Sequence, residues 1–285
     1  MYNGQIIHKN KMLELSKSNN NLLLNRTGSK QRIAPLLLQN FPSHDCFIDM
    51  FFGFGGLFFN KPKAKYNVCN DADGEVINFF NIIKLEESRN EFLTLFRLFP
   101  RHKDISLEWA SRKNWDGMDA MTRAIRFAWL CIYTYRSGLF VSNGDANRSK
   151  IFTERLNKIG DFLEDIVFFQ CDFRELLQKI SWSNETGKQR YFIYADPPYV
   201  ETICLSYRCK WSADDTADLF EVLVKSGLKF GISELDKPII RELTAKHNLR
   251  MLPIKNIQNN NSNGYGDKRM AEVLVVNYDV VGGLF

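Results

Sequence analysis

The sequence predicts an α/β protein, a three-layer sheet with helices on both faces, interrupted by a helical, basic insertion. Short apolar runs ending in glycines or a carboxylate alternate with helical periodicity up to about residue 96, and again after Asp161. Between them the alternation gives way to one long helical stripe. The composition, 45% hydrophobic and 25% charged over 285 residues, is that of a globular chain with a substantial core, and excludes disordered, collagen-like and fibrous classes.

Residues 1–29, dominated by Asn, Lys, Ser and Leu, are expected to form a loosely ordered lead-in. Periodicity starts near Lys30. Cys46 to Phe52 is a short apolar run that breaks into Gly53, Gly55 and Gly56, which reads as a buried strand entering a tight turn. A second short strand is expected at Tyr66 to Cys69. Asp73 then caps a helix in which Val76, Ile77, Phe80 and Ile83 recur at helical spacing. In the middle block Met118, Met121, Ile125, Ala128, Ile132 and Tyr135 form a helical stripe, with Arg123 and Arg126 on another face. The second half is expected to run as strand 166–170, a helix from Asp172, strand 191–195, helix 214–225 and strand 228–232. A helix begun by Pro238 and strands 249–254 and 272–277 close the sequence. The division that follows is a lead-in at 1–29, a core domain from 30–96 and 162–285, and an insert at 97–161.

The formal net charge is +5, and the stretch from Arg97 to Arg155 alone holds 11 basic against 6 acidic residues, so the insert accounts for the whole excess. A basic face of this kind suits a polyanion. The six cysteines form no CxxC pair and have no metal-like spacing with the four histidines; they read as reduced, buried thiols. No apolar run approaches the roughly 20 residues a membrane helix needs. The expected setting is the cytoplasm, without membrane association.

Two segments could carry chemistry. Asp49-Met50-Phe51-Phe52-Gly53-Phe54-Gly55-Gly56 follows a strand, where a doubly wound sheet lets backbone approach a nucleotide-like ligand. No Gly-Lys-Ser/Thr follows, so it is not a phosphate-binding Walker loop. Asp71, just past the second strand, reads either as an acceptor for ribose hydroxyls or as an ordinary loop acid. The sharper signal is Asp196-Pro197-Pro198-Tyr199, directly after an apolar strand. Its prolines remove two backbone donors, leaving carbonyl acceptors beside a carboxylate and ahead of an aromatic ring. That arrangement suits the exocyclic amine of a flat heterocycle: one hydrogen to Asp196, one to the Pro197 carbonyl, and Tyr199 stacked on the ring.

With these residues in this order, the chain resembles the S-adenosylmethionine-dependent DNA adenine-N6 methyltransferases of the Dam type, the D12 class. The resemblance runs over about residues 28 to 278. It covers Gly28-Ser29-Lys30, Phe51 to Gly55, Asn70-Asp71 with its helix, the basic insert, Cys171-Asp172-Phe173, Asp196 to Tyr199, and the tail Lys268 to Tyr278. It implies a Rossmann-like fold with a mostly parallel seven-stranded sheet and a helical target-recognition insertion. It also implies methyl transfer from S-adenosylmethionine to adenine N6 in double-stranded DNA, with the base flipped out of the duplex and no metal. The implied cofactor contacts are Lys30, Asp49, Phe51, Gly53, Gly55, Asp71, Asp172 and Phe173, with Asp196, Pro197, Pro198 and Tyr199 as the catalytic segment. Arg123, Arg126, Arg136, Asn143, Asn147, Arg148 and Lys150 are the expected DNA contacts, from the charge of the insert and the loop at 138–147. A monomer is expected, bacterial or phage-encoded and nucleoid-associated through DNA; a cognate restriction endonuclease is a partner consistent with the family. Two rivals stand: an amino-methyltransferase acting on cytosine N4 or RNA adenine, and an inert relative that only binds DNA. Val141 stands where the base-reading hairpin usually carries Arg, so no target sequence is implied.

Overall fold

The computed structural model describes residues 23–24, 29–99, 102–135, 140–141, 146–180, 185–200, 211–254 and 271–280, without the side chains of 103, 135, 140–141, 146–151, 185–186 and 188. Nine strands and nine α-helices fall within them. The strands are β1 (Cys46–Asp49), β2 (Tyr66–Asn70), β3 (Thr134–Tyr135), β4 (Phe140–Val141), β5 (Ile166–Phe169), β6 (Tyr191–Ala195), β7 (Lys229–Leu235), β8 (Arg250–Ile254) and β9 (Glu272–Val276). The helices are α1 (Ala34–Leu38), α2 (Gly74–Lys84), α3 (Glu86–Phe96), α4 (Lys103–Ala110), α5 (Ala120–Tyr133), α6 (Ala146–Phe162), α7 (Phe173–Lys179), α8 (Ala213–Ser226) and α9 (Pro238–Lys246).

Seven strands make one sheet in the order β5-β2-β1-β6-β7-β9-β8. Every pairing is parallel except those of β9, which runs antiparallel to both its neighbours. From β1 the chain moves outward through β2 and β5, then returns to β6 on the other side. The order therefore reverses between β1 and β6, where the connections diverge and leave a crevice at the carboxyl ends of the strands.

Period-two alternation decides which residues face which layer. On β1 and β6, Phe47, Phe192 and Tyr194 pack into one core with α2, α3, α5 and α6, while Cys46, Ile48, Ile193 and Ala195 pack into the other with α7, α8 and α9. The first core is an aromatic one. Phe52, Phe58, Phe59 and Phe80 meet at centroid distances of 4.9 to 6.0 Å, mostly edge to face. The phenylalanines of the 47–59 stretch are mainly core.

Helix starts follow from local chemistry. The side chains of Asp73, Asp119, Asp172 and Ser212 each accept a backbone N–H of the first turn of α2, α5, α7 and α8. Gly227, at φ 65°, closes α8.

One feature differs from expectation. The insert is not wholly helical: Thr134–Tyr135 and Phe140–Val141 pair as a small antiparallel hairpin after the α5 stripe ends. Ile125, Trp129, Phe152 and Ile159 of α5 and α6 join the same buried cluster as Phe79, Phe80 and Phe92. Among the cysteines, Cys46, Cys69 and Cys171 are buried and free and Cys131 is half-buried; Cys204 and Cys209 lie outside the described residues. No helix among the described residues is long and apolar enough to cross a membrane.

Candidate active site

The crevice between β1 and β6 holds a cavity of about 430 Å³. That size is within the roughly 300 to 1,000 Å³ usual for small-molecule sites. Of the residues singled out from sequence, Lys30, Asp49, Phe51, Gly53, Asp71, Asp172, Phe173, Asp196 and Pro198 line it, although they come from five separate stretches of chain. Gly55, Pro197 and Tyr199 do not.

The glycine turn shows why. Gly53 is at φ 52° and a Cβ there would meet nothing within 4 Å, so its bare side faces the cavity. Its N–H donates to Asp71 Oδ2 at 2.7 Å, while Asp71 Oδ1 accepts the Asp73 N–H at 2.8 Å. Asp71 thus clasps the turn at the cavity edge with both oxygens. Gly55 plays a different part from the one expected of it. It has φ 69°, and a Cβ would lie 2.3 and 2.5 Å from the Phe59 ring. Its lack of a side chain serves the aromatic core rather than the approach of a ligand. At Gly56 a Cβ would come within 2.4 Å of Ser29 Oγ, so this glycine lets the 29–32 segment dock beside the turn and bring Lys30 into the site.

Asp49 ends β1, fully enclosed. Its Oδ1 is buried without a hydrogen-bond partner among the described residues, and burial, with Asp196 and Asp71 nearby, holds its carboxyl well above the usual range. An orphaned acceptor on a cavity wall awaits a donor from a ligand. At the other end of the cavity Phe51, Phe173 and Trp211 form an aromatic trio with centroids 5.4 to 5.7 Å apart. The Arg174 guanidinium lies 4.4 Å from the Phe173 ring centroid and is tied to Asp172, Asp215 and Asp218. A flat heterocycle fits against such a wall, and Asp172, with its side chain capping α7, stands at its edge.

Lys30 is committed to the Asp196–Tyr199 segment. Its Nζ is 2.8 Å from Asp196 Oδ1 and 3.1 Å from Glu272 Oε1, and it donates to the Tyr199 hydroxyl, which in turn donates to Glu272. These contacts can use all three ammonium hydrogens, so a cofactor contact by Lys30 would displace one of them. Burial pushes the Asp196 carboxyl up to about 6; the Lys30 charge opposes the shift and that of Glu272 adds to it. Although burial alone would lower it, the two carboxylates keep Lys30 above its ordinary value.

Sequence reasoning missed Glu272, Arg112 and Trp211. Glu272 is a lone carboxylate ahead of an apolar strand, a pattern with little signal of its own. Arg112 takes a left-handed φ of 50°, forms a double hydrogen bond to Asp73 at 2.9 and 3.2 Å, and lines the cavity from the insert.

The expected DNA contacts divide. Arg123 is paired with Glu75 at 3.2 Å, and Arg126 lies 5.0 Å from the Trp109 ring centroid, so both are tied into the helical layer. Asn147, Arg148 and Lys150 fall in the first turns of α6, while Arg136 and Asn143 lie outside the described residues. Among the described residues no cluster of His, Cys, Asp or Glu is arranged to hold a metal ion.

The family described as D12 class N6 adenine-specific DNA methyltransferase matches residues 27–259. The chain is 24% identical over 293 residues to the Type II methyltransferase M1.LlaDCHI of Lactococcus lactis subsp. cremoris, covering 94% of this chain and 99% of that one. It is 26% identical over 189 residues to the DNA adenine methylase of Haemophilus influenzae, covering 60% and 61%. Among solved structures, an rRNA methyltransferase, aviRa from Streptomyces viridochromogenes, is 12% identical with a TM-score of 0.36, covering 92% of this chain and 90% of that one. The family match spans the glycine turn, the insert and the Asp196–Tyr199 segment alike, and the chain belongs to the D12 class of N6 adenine-specific DNA methyltransferases.

Proposed function

We propose that this protein methylates adenine N6 at specific sites in double-stranded DNA, with the cavity between β1 and β6 as its reaction chamber. The observation that carries the reading is the convergence of the Gly53 turn, with its open side, and Asp196 on one cavity at the point where strand order reverses.

The residues present fit S-adenosylmethionine. Asp49 Oδ1 lacks a donor, Asp71 is placed for ribose hydroxyls, and the Phe51, Phe173 and Trp211 wall with Asp172 suits an adenine ring. When bound, the cofactor supplies an electrophilic methyl on a sulfonium, whose bonding electron pair stays on sulfur. Exocyclic N6 is a poor nucleophile because its lone pair is delocalised into the ring. Asp196 and the Pro197 carbonyl accept its two hydrogens, favouring a pyramidal nitrogen with its lone pair toward the methyl, and the fixed geometry supplies the orientation. Lys30 holds Asp196 Oδ1, so we assign Oδ2 to the acceptor amine. The proton shed after the N–C bond forms passes by Asp196 to solvent.

A paired base cannot reach this chamber from within a duplex, so the adenine is flipped out, with an unstacking cost of a few kcal/mol offset by phosphate contacts and by Tyr199. Arg136, Arg148 and Lys150 are assigned to phosphates, and Asn143 and Asn147 to base edges, which require paired donors and acceptors. We assign no metal to the reaction; turnover should withstand a chelator. The protein is proposed to act as a cytoplasmic monomer, and a cognate endonuclease would be the partner if it belongs to a restriction-modification pair. The test is to incubate the protein with S-adenosylmethionine and DNA of mixed sequence, digest to nucleosides and look for N6-methyladenine. Methyl appearing on cytosine, or none at all from a folded protein that binds the cofactor, would overturn the reading.

A further inference from the structure

We infer that Glu272, the first residue of β9, is a positioning residue for methyl transfer, dividing the Lys30 ammonium between two carboxylates so that Asp196 stays a strong acceptor, and anchoring the Tyr199 hydroxyl. The inference rests on the proposed reaction and adds to it a residue from the far side of the sheet.

Three elements meet at this point. Lys30 comes from the short helical turn after Ser29, Asp196 and Tyr199 from the exit of β6, and Glu272 from β9, separated from β6 by β7. The side chains of Lys30, Asp196 and Glu272 are 7%, 19% and 14% exposed, so water does little to screen them. One ammonium serves two carboxylates at 2.8 and 3.1 Å. A lysine paired with Asp196 alone would draw its electron density more fully and leave a weaker acceptor for the N6 hydrogen. With Glu272 taking a share, Asp196 remains basic.

The same carboxylate accepts the Tyr199 hydroxyl, which is also held by Lys30. The ring that closes the Asp-Pro-Pro-Tyr segment is therefore fixed from below through its oxygen. Beyond the four members of the cluster, Asp196 also acts electrostatically on Asp49 from β1, Tyr194 from β6 and Glu234 from β7, Glu272 acts on Tyr194, and Lys237 faces Glu234. Lys30 is the cation at the centre of this predominantly acidic set. The Asp196 carboxyl, pushed up to about 6, is raised in part by Glu272, so removing that charge should lower it.

The experiment is a pH-rate profile of wild type, Glu272→Gln and Glu272→Asp under saturating DNA and cofactor, with melting temperatures measured alongside. Formation of N6-methyladenine by the wild-type protein comes first; its failure would refute the proposed reaction and not this inference. Given that activity, Glu272→Gln should lose roughly ten- to hundredfold in kcat with cofactor KM unchanged, as expected for a misplaced catalytic group. Its acid limb should move down by about one pH unit. Glu272→Asp, which keeps the charge on a shorter arm, should keep the limb at the wild-type pH with a reduced plateau. A Glu272→Gln enzyme with wild-type kcat and an unmoved limb would overturn the inference, as would a loss confined to cofactor KM. If Glu272→Gln does not fold, a wild-type plateau in Glu272→Asp overturns it instead.

Discussion

Gly53 and Gly55 lie two residues apart at similar left-handed φ, 52° and 69°, yet a methyl added to each should fail in a different way. At both, an Ala costs about 1 to 2 kcal/mol for the left-handed backbone. At Gly55 the new Cβ would fall 2.3 Å from one Phe59 ring carbon and 2.5 Å from another, with Phe52 at 3.1 Å. Phe59 is fully buried among Phe52, Phe58, Phe80 and Phe162 and has little room to retreat, so overpacking adds about 1 to 3 kcal/mol. The sum, about 2 to 5 kcal/mol, is a large part of the ~5 to 15 kcal/mol that holds a domain together. It corresponds to a fall in melting temperature on the order of 10 °C. At Gly53 the Cβ meets no protein atom but enters the cavity, so Gly53→Ala should melt within a few degrees of wild type, by the backbone cost alone. It should bind S-adenosylmethionine at least about tenfold more weakly, ~1.4 kcal/mol. Differential scanning calorimetry with isothermal titration of the cofactor separates the two variants. A Gly55→Ala protein that melts like wild type but has lost cofactor affinity, or a Gly53→Ala protein with unchanged affinity, would refute the division of the turn into a core glycine and a ligand glycine.

Other outcomes follow from the same geometry. Asp196→Asn should remove turnover while cofactor affinity stays within a few fold; near-normal methyl transfer would contradict its role. Since Asp196 titrates near 6 and acts as an acceptor only when ionised, wild-type activity should fall as pH drops through about 6. Its raised value means the folded state binds the proton more tightly than the unfolded one, so this group's contribution to stability rises over the same descent, and a falling rate at constant or rising melting temperature is the expected signature. Tyr199→Ala should lose on the order of 1 to 3 kcal/mol of base binding. Tyr199→Phe keeps the ring but loses the oxygen held by Lys30 and Glu272, so it should retain base binding at a lower kcat; 2-aminopurine fluorescence at the target reports the first and single-turnover rates the second. Arg148→Ala and Lys150→Ala should each reduce the salt slope of DNA binding by about one unit, whereas Arg123→Ala and Arg126→Ala should lower the melting temperature and leave the slope unchanged. Equal slopes lost at all four would return Arg123 and Arg126 to the DNA face.

The kind of fold and the class of reaction were already legible in the chain. Short apolar runs bounded by glycines, prolines or a carboxylate read as buried strands, and the segments that interrupt them, Gly53 to Gly56 and Asp196 to Tyr199, stand at strand ends whatever the order of the strands. Those cues are local, set by φ, by missing donors and by periodicity, so they survive without coordinates. The tertiary structure alone decided which side of each residue met what. Gly53 and Gly55 read alike in the chain, and only the position of Phe59 makes one a core contact and leaves the other facing the cavity. Arg123 and Arg126 looked like a free basic face because periodicity reports the angle around α5 and not the neighbours, Glu75 and Trp109, that α2 and α4 bring to it. Glu272 carried no mark of function, being one acid before one apolar strand. It reaches Lys30 across 242 positions of sequence because β9 folds back antiparallel beside β7, and that pairing is a property of the closed sheet, to which no short stretch of the chain holds the key.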